Sequence, residues 1–267
     1  MMQAFVVHPD FEMLFQEYAL TSGETFFSLT PRSGLYVRVL RTLKMRANIY
    51  FELQGKEKKF GFYLKTHQPL SFWQSLGLRF GFKRYIPAGW GEWEQITQLK
   101  AYLPTMTAVS AGILPGTWGK YTGASFCITE ALYGYIQLDH YLRTETLTRA
   151  LIQQVANYAK QFHALHFSHK DFYLCHWFYH PQTQHLALID LQRLTRPLFF
   201  YRWRIKDIAE LDYSTYVLPL KRTDKLRFIR FYFGLGSGEK LTQQHKRFIT
   251  VVLKKSLQIR QHNRGYK

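Results

Sequence analysis

Two carboxylates in the second half of the chain have types and spacing suited to phosphoryl transfer. Asp171 ends the histidine-rich segment 163–171, which reads as the end of a helix followed by a loop. His176 follows five residues later, and Asp190 ends the apolar, strand-like run 186–190. A loop carboxylate can accept the proton of an attacking hydroxyl, and a carboxylate at a strand end can bind Mg²⁺.

A lysine and a glutamate in the first half of the chain supply the other groups that this reaction needs. Lys65 lies in a predicted strand, and Glu92 opens a helix predicted over 92–102. The order of strand lysine, helix glutamate, loop aspartate and strand-end aspartate is typical of ATP-dependent phosphoryl transfer. In that chemistry the lysine contacts the α- and β-phosphates, and the glutamate holds the lysine by an ion pair.

The histidines also permit a different interpretation, which is a metal cluster. His163, His166, His169 and His176 are of the right residue type, but a spacing of three walks around a helix instead of keeping to one face. Cys127 and Cys175 are too few for a disulfide framework and are interpreted as reduced packing thiols. The kinase interpretation depends on the joint order of all the groups, because each one alone is common.

The charge of the chain is strongly positive. Lys and Arg number 36 against 18 acidic residues, which gives +18, and the segment 221–267 holds thirteen of the basic residues and two acids. A field of this sign attracts nucleic acid, anionic membrane or an acidic protein. The many aromatic residues suit a membrane–water interface as well as single-stranded nucleic acid, so composition leaves these partners open.

Residue patterns predict an α+β protein with two parts of different texture. The first half reads as strands at 46–53 and 58–66 around a turn at 54–56, followed later by a strand at 125–129. The second half is helical, with one long helix predicted over 144–165. The first twenty residues carry acids in place of a signal-peptide pattern, and no apolar run is long enough to span a membrane, so the sequence predicts a soluble protein.

Several motifs make the chain resemble the lipopolysaccharide core heptose kinases, relatives of eukaryotic-type protein kinases. Its loop at 169–177, His-Lys-Asp-Phe-Tyr-Leu-Cys-His-Trp, is similar to that family's His-Arg-Asp-Cys-Tyr-Ile-Cys-His-Phe. The resemblance runs from about 41 to 233. Its other motifs are Glu-Trp-x-x-Ile from Glu92, the strand 125–130, Leu-Ile-Asp-Leu-Gln-Arg at 188–193, Arg-Trp-Arg-Ile-Lys-Asp at 202–207 and Asp-Lys-Leu-Arg-Phe at 224–228.

The resemblance implies a bilobal, protein-kinase-like fold. A small β-rich N-lobe would span 1–130, and a mainly helical C-lobe would span 131–267 with the catalytic loop and the basic tail. The cofactors would be ATP and Mg²⁺, and the acceptor would be a heptose of the lipopolysaccharide inner core. Two other outcomes stay open: a kinase of the same fold that acts on an octulosonic acid sugar or on protein tyrosine, and a non-catalytic binding protein.

The resemblance also implies roles for individual residues. The catalytic set would be Asp171 as the base with Lys65 and Glu92, and Asp207 would anchor the catalytic loop. The metal would be held by Asp190, with His176 at a position where protein kinases place a metal-binding asparagine. The predicted ATP-binding residues are Lys65, Thr129, Glu130, Leu132, His176 and Asp190.

The implied substrate also predicts where the protein works. A lipid-anchored acceptor would place the chain in the cytoplasm, peripherally at the inner face of the inner membrane. The basic tail would hold it to the anionic surface, an acidic protein partner is the alternative, and no nucleic acid is expected. The segment 251–257 fits either an interfacial helix or internal packing.

The chain departs from the family pattern at three points. Lys170 stands where the family has an arginine, which keeps the charge but loses the planar fork. Gln192 replaces a histidine two residues after Asp190. The phosphate-covering loop is poorly marked, since Gly34 is its only candidate glycine.

Overall fold

The computed structural model describes residues 4–43, 46–80 and 86–264. The chain divides into two compact units: the N-terminal unit comprises 1–101 with 106–133, and the C-terminal unit comprises 102–105 with 134–267. The end of the predicted basic tail, 265–267, lies outside the described residues. None of the helices in the described ranges is both long and apolar enough to cross a membrane.

The N-terminal unit is built on an antiparallel sheet of six strands in the order β1-β5-β6-β4-β3-β2. The hairpin of β3 and β4 confirms the strands predicted at 46–53 and 58–66, and Phe62 and Leu64 alternate onto its buried face. The strands are β1 (Phe5–Val7), β2 (Leu35–Leu43), β3 (Arg46–Gln54), β4 (Lys59–His67), β5 (Ala108–Ile113) and β6 (Ser125–Glu130).

Aromatic side chains form the core against this sheet. Phe11 and Phe15 lie on an N-terminal helix and contact the ring of Phe62 with centroids 5.5 and 5.4 Å away. This helix and its neighbour were not predicted, because their few apolar residues give only a short helical period. The helices of the unit are α1 (Pro9–Glu17), α2 (Gly23–Phe27), α3 (Phe72–Arg79) and α4 (Ala88–Lys100).

The C-terminal unit is mainly helical, with a small sheet in the order β7-β8-β9. Its strands are β7 (Ile136–Gln137), β8 (Trp177–Tyr179) and β9 (Leu186–Leu188). Its helices are α5 (Leu138–Thr144), α6 (Arg149–Ala164), α7 (Phe200–Ser214), α8 (Arg222–Phe233) and α9 (Gln243–Arg264). The β-rich first unit and the helical second unit confirm the predicted α+β class.

Two predicted helix boundaries were wrong. The helix predicted over 144–165 begins five residues later, at Arg149, because the Thr148 side chain accepts a hydrogen bond from the Leu151 amide at 3.1 Å and caps α6 there; Thr144 is the last residue of α5. The helix predicted from Glu92 begins four residues earlier, at Ala88, and includes both Gly89 and Gly91. Glycine usually interrupts helices, so the pattern alone favoured a later start.

Candidate active site

Lys65 and Glu92 form an ion pair in the N-terminal unit. The Lys65 Nζ atom lies 2.7 Å from Glu92 Oε1. The Glu92 side chain is fully buried, whereas Lys65 keeps 18% of its side-chain area exposed. Lys65 therefore stays within reach of a ligand while the buried carboxylate fixes its charge. The neighbouring Glu94 accepts a hydrogen bond from the Trp90 indole instead.

The ion pair forms because a glycine lets α4 lie directly against β6. A Cβ atom on Gly89 would come within 2.5 Å of the Phe126 backbone. The Gly89 amide also donates to Ser125 Oγ at 3.2 Å. Strand β6 pairs with β4, and Cys127 lies opposite Lys65. Because Glu92 is less than one helical turn after Gly89, the close approach of α4 to β6 brings its carboxylate to Lys65.

The predicted ATP-binding residues Thr129, Glu130 and Leu132 lie at and just after the end of β6. Thr129 is buried, and the Glu130 amide donates to the Thr107 carbonyl at 3.0 Å. Leu132 follows, and within the described part of the chain neither its N–H nor its carbonyl makes a backbone hydrogen bond. Gly61 makes room for this turn, since a Cβ there would lie 3.2 Å from the Ala131 methyl group.

In the C-terminal unit, one face of α7 holds the backbone of the loop that carries Asp171. Asp207 accepts from the amides of His169 and Lys170 at 3.1 and 3.0 Å. Glu210 accepts from the Phe172 amide at 2.9 Å, and Ser214 accepts from the Leu174 amide at 3.1 Å. These three positions are three and four residues apart and share one helical face. The predicted anchoring role of Asp207 is thus confirmed, and Glu210 and Ser214 extend it.

Asp171 presents its carboxylate at the end of this clamped segment. Arg193 Nη1 lies 2.9 Å from both carboxylate oxygens, and the Asp171 side chain remains 26% exposed. The preceding residue, Lys170, has a left-handed backbone with φ of 67°. A non-glycine residue in this region costs on the order of 1 kcal/mol, and such strain clusters at functional sites.

Asp190 and His176 lie together beside this loop. Asp190 follows β9 with a left-handed backbone, and its Oδ1 accepts from Gln192 Nε2 at 2.6 Å. His176 Nδ1 donates to the Asp171 carbonyl at 2.6 Å, and its Nε2 lies 3.7 Å from Asp190 Oδ2. Burial lowers the His176 pKa, but hydrogen bonding to Cys175 and to the Asp171 carbonyl and the Asp190 charge raise it to about 9.

The donor set at Asp190 fits a magnesium ion that is shared with a nucleotide. Magnesium sites of this kind use one or two carboxylates, and substrate phosphates and waters complete the octahedron. The described residues include no group of three or more His, Cys, Asp or Glu side chains arranged to hold a metal. A structural histidine cluster therefore has no support: His163 bonds Tyr232 at 2.8 Å, and His169 bonds the Ile189 carbonyl at 2.9 Å.

The predicted residues fall into two sets. Lys65 and Glu92 lie together in the N-terminal unit with the Thr129–Leu132 segment, and Asp171, His176 and Asp190 lie together in the C-terminal unit. Sequence reasoning missed Arg193, Glu210 and Ser214. The spacing of Asp207, Glu210 and Ser214 along one helix face was a signal for the latter two, whereas nothing in the sequence pairs Arg193 with Asp171.

Gly34 does not mark a loop over the phosphates. It precedes β2, and its carbonyl accepts a hydrogen bond at 3.0 Å from the amide of Gln54, which lies opposite Lys59 in the next strand. Lys65 is six residues further along β4, or roughly 20 Å at about 3.3 Å per residue. Gly34 has a left-handed backbone with φ of 74°, and it packs so closely on Tyr18 that a Cβ atom there would collide with the tyrosine hydroxyl.

Comparison with known proteins places these features in one family. The model of the lipopolysaccharide kinase (Kdo/WaaP) family matches residues 33–232. The lipopolysaccharide core heptose(I) kinase WaaP of Pseudomonas aeruginosa is 31% identical over 75% of this chain and 78% of its own length. The Escherichia coli K12 enzyme of the same name is 30% identical over 74% of this chain and 78% of its own length.

A solved structure gives the same result at the level of the fold. It is described as WaaP in complex with acyl carrier protein, and it is 26% identical to this chain with a TM-score of 0.68. The match covers 96% of this chain and 99% of the other. The sequence relatives and the structural neighbour thus agree, and the family match spans both Lys65 and Asp190. The chain belongs to the lipopolysaccharide kinase (Kdo/WaaP) family.

Proposed function

We propose that the protein transfers the γ-phosphoryl group of ATP to a heptose of the lipopolysaccharide inner core. The observation that carries this proposal is the family match over 33–232, which includes both the Lys65–Glu92 pair and the Asp171 loop. The curated relatives at 30 and 31% identity are named as core heptose(I) kinases, which gives the acceptor.

On the donor side, Lys65 would contact the α- and β-phosphates while Glu92 holds its ammonium group in place. The adenine would lie against the segment after β6, where Leu132 has an available N–H and carbonyl and Thr129 and Glu130 form the adjoining strand end. Hydrogen bonds of this kind orient a base without any charged side chain.

Asp190 would hold the magnesium ion, and Gln192 would orient its carboxylate. Bound magnesium would neutralise charge on the β- and γ-phosphates. His176 would contact a phosphate, because a pKa of about 9 favours the protonated ring in the metal-free site; it would be a second, weaker metal ligand only in its neutral form. A protonated imidazole donates to phosphate oxygens but cannot bind a metal.

Asp171 would act on the acceptor. One carboxylate oxygen would accept the proton of the heptose hydroxyl as its oxygen bonds to the γ-phosphorus. The bond from that phosphorus to the bridging oxygen of ADP breaks in the same step, so ADP leaves with the electron pair. Arg193 holds the carboxylate from one side, and the exposed remainder is available to the hydroxyl.

The test of this proposal is phosphate transfer from labelled ATP to core lipopolysaccharide that lacks heptose phosphate. Wild-type protein should label the saccharide, and Asp171→Asn should lower kcat by 10²-fold or more because the general base is lost. Binding of ATP should stay within about twofold, since Asp171 acts on the acceptor. Labelling that survives in Asp171→Asn would contradict the assignment of the base.

An octulosonic acid sugar is the second candidate acceptor. The description of the matching family, lipopolysaccharide kinase (Kdo/WaaP), pairs Kdo, the octulosonic acid sugar, with WaaP, and this favours it as the second candidate. Mass fragmentation of the labelled saccharide separates the two, because it assigns the phosphate to one sugar. Label on the protein itself would indicate tyrosine phosphorylation instead.

We further propose that an acidic acyl carrier protein binds the C-terminal unit. The solved WaaP neighbour is in complex with such a protein, and this chain carries a charge of +18. An apolar groove of about 290 Å³ is lined by aliphatic side chains of α5, α6, α7, α8 and α9, which suits an acyl chain. Its charged lining residues are Arg222, Lys225, Asp212 and Asp224. Asp212 pairs with Lys225 and Asp224 pairs with Arg227, so among the described residues Arg222 is the lining cation left to attract an acidic surface.

Pull-down with purified carrier protein tests this partner. Acylated carrier should bind at low salt and be released by high salt, because surface charge attraction is screened. Arg222→Glu should weaken capture, whereas Lys160→Glu, which lies outside the groove lining, should not. Equal capture of acylated and unacylated carrier would exclude the groove as the acyl site.

We also propose where the protein works: in the cytoplasm, peripherally at the inner face of the inner membrane. Leu198 and Phe199 are 98% and 75% exposed on a chain of high positive charge, and this combination favours an anionic interface. Flotation with anionic vesicles should recover the protein at low salt and lose it at high salt. Flotation that is absent, or insensitive to salt, would exclude this attachment.

A further inference from the structure

A basic groove lies between α7 and α9 in the C-terminal unit. Its volume is about 550 Å³, and its polar lining includes the side chains of Arg202, Lys206, Lys254 and Lys255, with the ring of Trp203 among them. We refer to it as the α7–α9 groove. It has a different lining from the apolar groove proposed for the acyl chain, because the two share no residue.

The groove has an excess of positive charge. No acidic residue lines it. Lys206 is paired with Glu210, whereas Arg202, Lys254 and Lys255 have no ion pair within residues 4–43, 46–80 and 86–264. Three cations at one concave surface repel one another, so an anion that enters the groove relieves this repulsion.

The groove adjoins the catalytic loop. The Lys206 ammonium, which lines the groove, donates to the backbone carbonyl of Lys170. The Lys170 Nζ atom lies 4.8 Å from the centre of the Trp203 ring, a cation–π contact. Since Lys170 directly precedes Asp171, two separate contacts connect the lining of the groove to the residue beside the proposed base.

Three cations, Lys170, Arg193 and Lys206, lie near the base, and two of them are paired with carboxylates: Arg193 with Asp171 and Lys206 with Glu210. Burial lowers the Lys170 pKa, and the nearby charges of Arg193 and Lys206 lower it further. Asp171 itself is bonded to Arg193.

We propose that the α7–α9 groove binds the acidic sugars of the acceptor, whose carboxylate or phosphate groups lie next to the sugar that is phosphorylated. This inference rests on the proposed function and names the part of the acceptor that is recognised. Arg202 suits planar carboxylate and phosphate groups, and Lys254 and Lys255 act as point charges. A concave site fits a discrete saccharide, whereas a membrane surface would contact an exposed convex face.

The test uses a charge-neutralising pair of substitutions and a matched control on the same helix. Lys254→Gln with Lys255→Gln removes two groove cations, and Lys246→Gln with Arg247→Gln removes two exposed cations of α9 that do not line the groove. The probe is lipid-free core oligosaccharide that carries its acidic sugars, with binding to the full chain measured by calorimetry.

We expect the groove variant to raise the dissociation constant and the acceptor KM on the order of 10-fold, since charged hydrogen bonds are lost. The KM for ATP should stay unchanged, and the control variant should match wild type in all three quantities. The proposal is overturned if both variants weaken binding equally, since net charge would then explain the effect, or if neither does. Thermal unfolding of each variant checks that it is folded.

The same experiment separates this inference from the proposed function. Calorimetry needs no turnover, so oligosaccharide binding that depends on Lys254 and Lys255 without phosphate transfer would overturn only the kinase proposal. Phosphate transfer with unchanged oligosaccharide affinity in the groove variant would overturn only the groove proposal. If the groove variant loses flotation with anionic vesicles but keeps oligosaccharide binding, the groove faces lipid and the saccharide proposal is wrong.

Discussion

At the scale of single residues, burial distinguishes the two glutamates at the start of α4. Glu92 is fully buried with its charge compensated by Lys65 at 2.7 Å, whereas Glu94 bonds the Trp90 indole at 3.0 Å. A buried carboxylate without its cation is costly, because neither water nor an opposite charge then stabilises its negative charge in the low-dielectric interior. The pair therefore fixes Lys65 and contributes to the stability of the fold at the same time.

Glu92→Gln should destabilise the chain by about 3 kcal/mol, since it removes the charge of the buried carboxylate that pairs with the Lys65 ammonium. The KM for ATP should rise as Lys65 loses its fixed position. Glu94→Gln is the control and should cost about 1 kcal/mol or less, because an amide oxygen can still accept from the indole. Denaturant unfolding measures both, and equal losses would contradict the role given to the Lys65–Glu92 pair.

At the scale of elements, α7 positions the catalytic loop through one face. Asp207, Glu210 and Ser214 accept hydrogen bonds from loop amides, and Asp207 is fully buried. The loop includes the left-handed Lys170, so its conformation depends on these bonds and not on backbone preference.

Asp207→Asn should therefore disturb the loop. One of the two amide bonds from His169 and Lys170 is lost, because the asparagine NH₂ group faces a donor, and this should cost about 2 kcal/mol. Hydrogen exchange at these two amides should accelerate, and kcat should fall while the KM for ATP stays the same. Asp10→Asn, at a carboxylate of the N-terminal unit that is 78% exposed, is the control; unchanged amide exchange in Asp207→Asn would count against the anchor.

The contact between α4 and β6 gives a second test at this scale. Gly89→Ala places a methyl group 2.5 Å from the Phe126 backbone, which cannot rotate away, so it should destabilise by about 1–3 kcal/mol and weaken ATP binding. Gly91→Ala meets only Ile86 at an ordinary 3.7 Å and should stabilise the helix by up to about 1 kcal/mol. In thermal unfolding, the melting temperature should fall for Gly89→Ala and rise for Gly91→Ala. A change in the same direction for both variants would contradict the close packing.

Sequence patterns predicted the parts of the site that lie on regular elements. The β3–β4 hairpin, the strand 125–129 and the order of Lys65, Glu92, Asp171 and Asp190 follow from alternation and motif spacing. The start of α4 was missed because Gly89 is needed for the close contact with the Phe126 backbone, which the sequence pattern does not show. The start of α6 was missed because it depends on one side-chain cap at Thr148. The Arg193–Asp171 bond was not predictable, because it joins two loops 22 residues apart.

At the scale of the whole molecule, charge and buried histidines give the chain its response to solution conditions. The net charge of +18 favours anionic partners and should make their binding sensitive to salt. His163 is buried in the C-terminal unit, where burial lowers its pKa below the usual value despite the nearby Asp207 carboxylate. It is therefore neutral in the folded protein.

Stability should fall as pH drops below about 6.5. The unfolded chain binds a proton at His163 near that pH, whereas the folded chain does not, so acid favours unfolding by up to about 1.4 kcal/mol per pH unit. His163→Gln should be less stable than wild type at pH 7.5, because the hydrogen bond to Tyr232 changes. Its free energy of unfolding should nevertheless fall less than that of wild type between pH 7.5 and 5.5. His185→Gln, an exposed control, should keep the wild-type slope; a wild-type slope in His163→Gln would contradict this account.

The central claim is that this chain phosphorylates a heptose of the lipopolysaccharide core. The most direct measurement is mass fragmentation of lipid-free core oligosaccharide after incubation with the protein, ATP and Mg²⁺, with Asp171→Asn run in parallel. The account predicts one added phosphoryl group, assigned to a heptose, in the wild-type reaction and none with Asp171→Asn. A phosphate on the octulosonic acid sugar, or an unmodified saccharide with the wild-type protein, would contradict it.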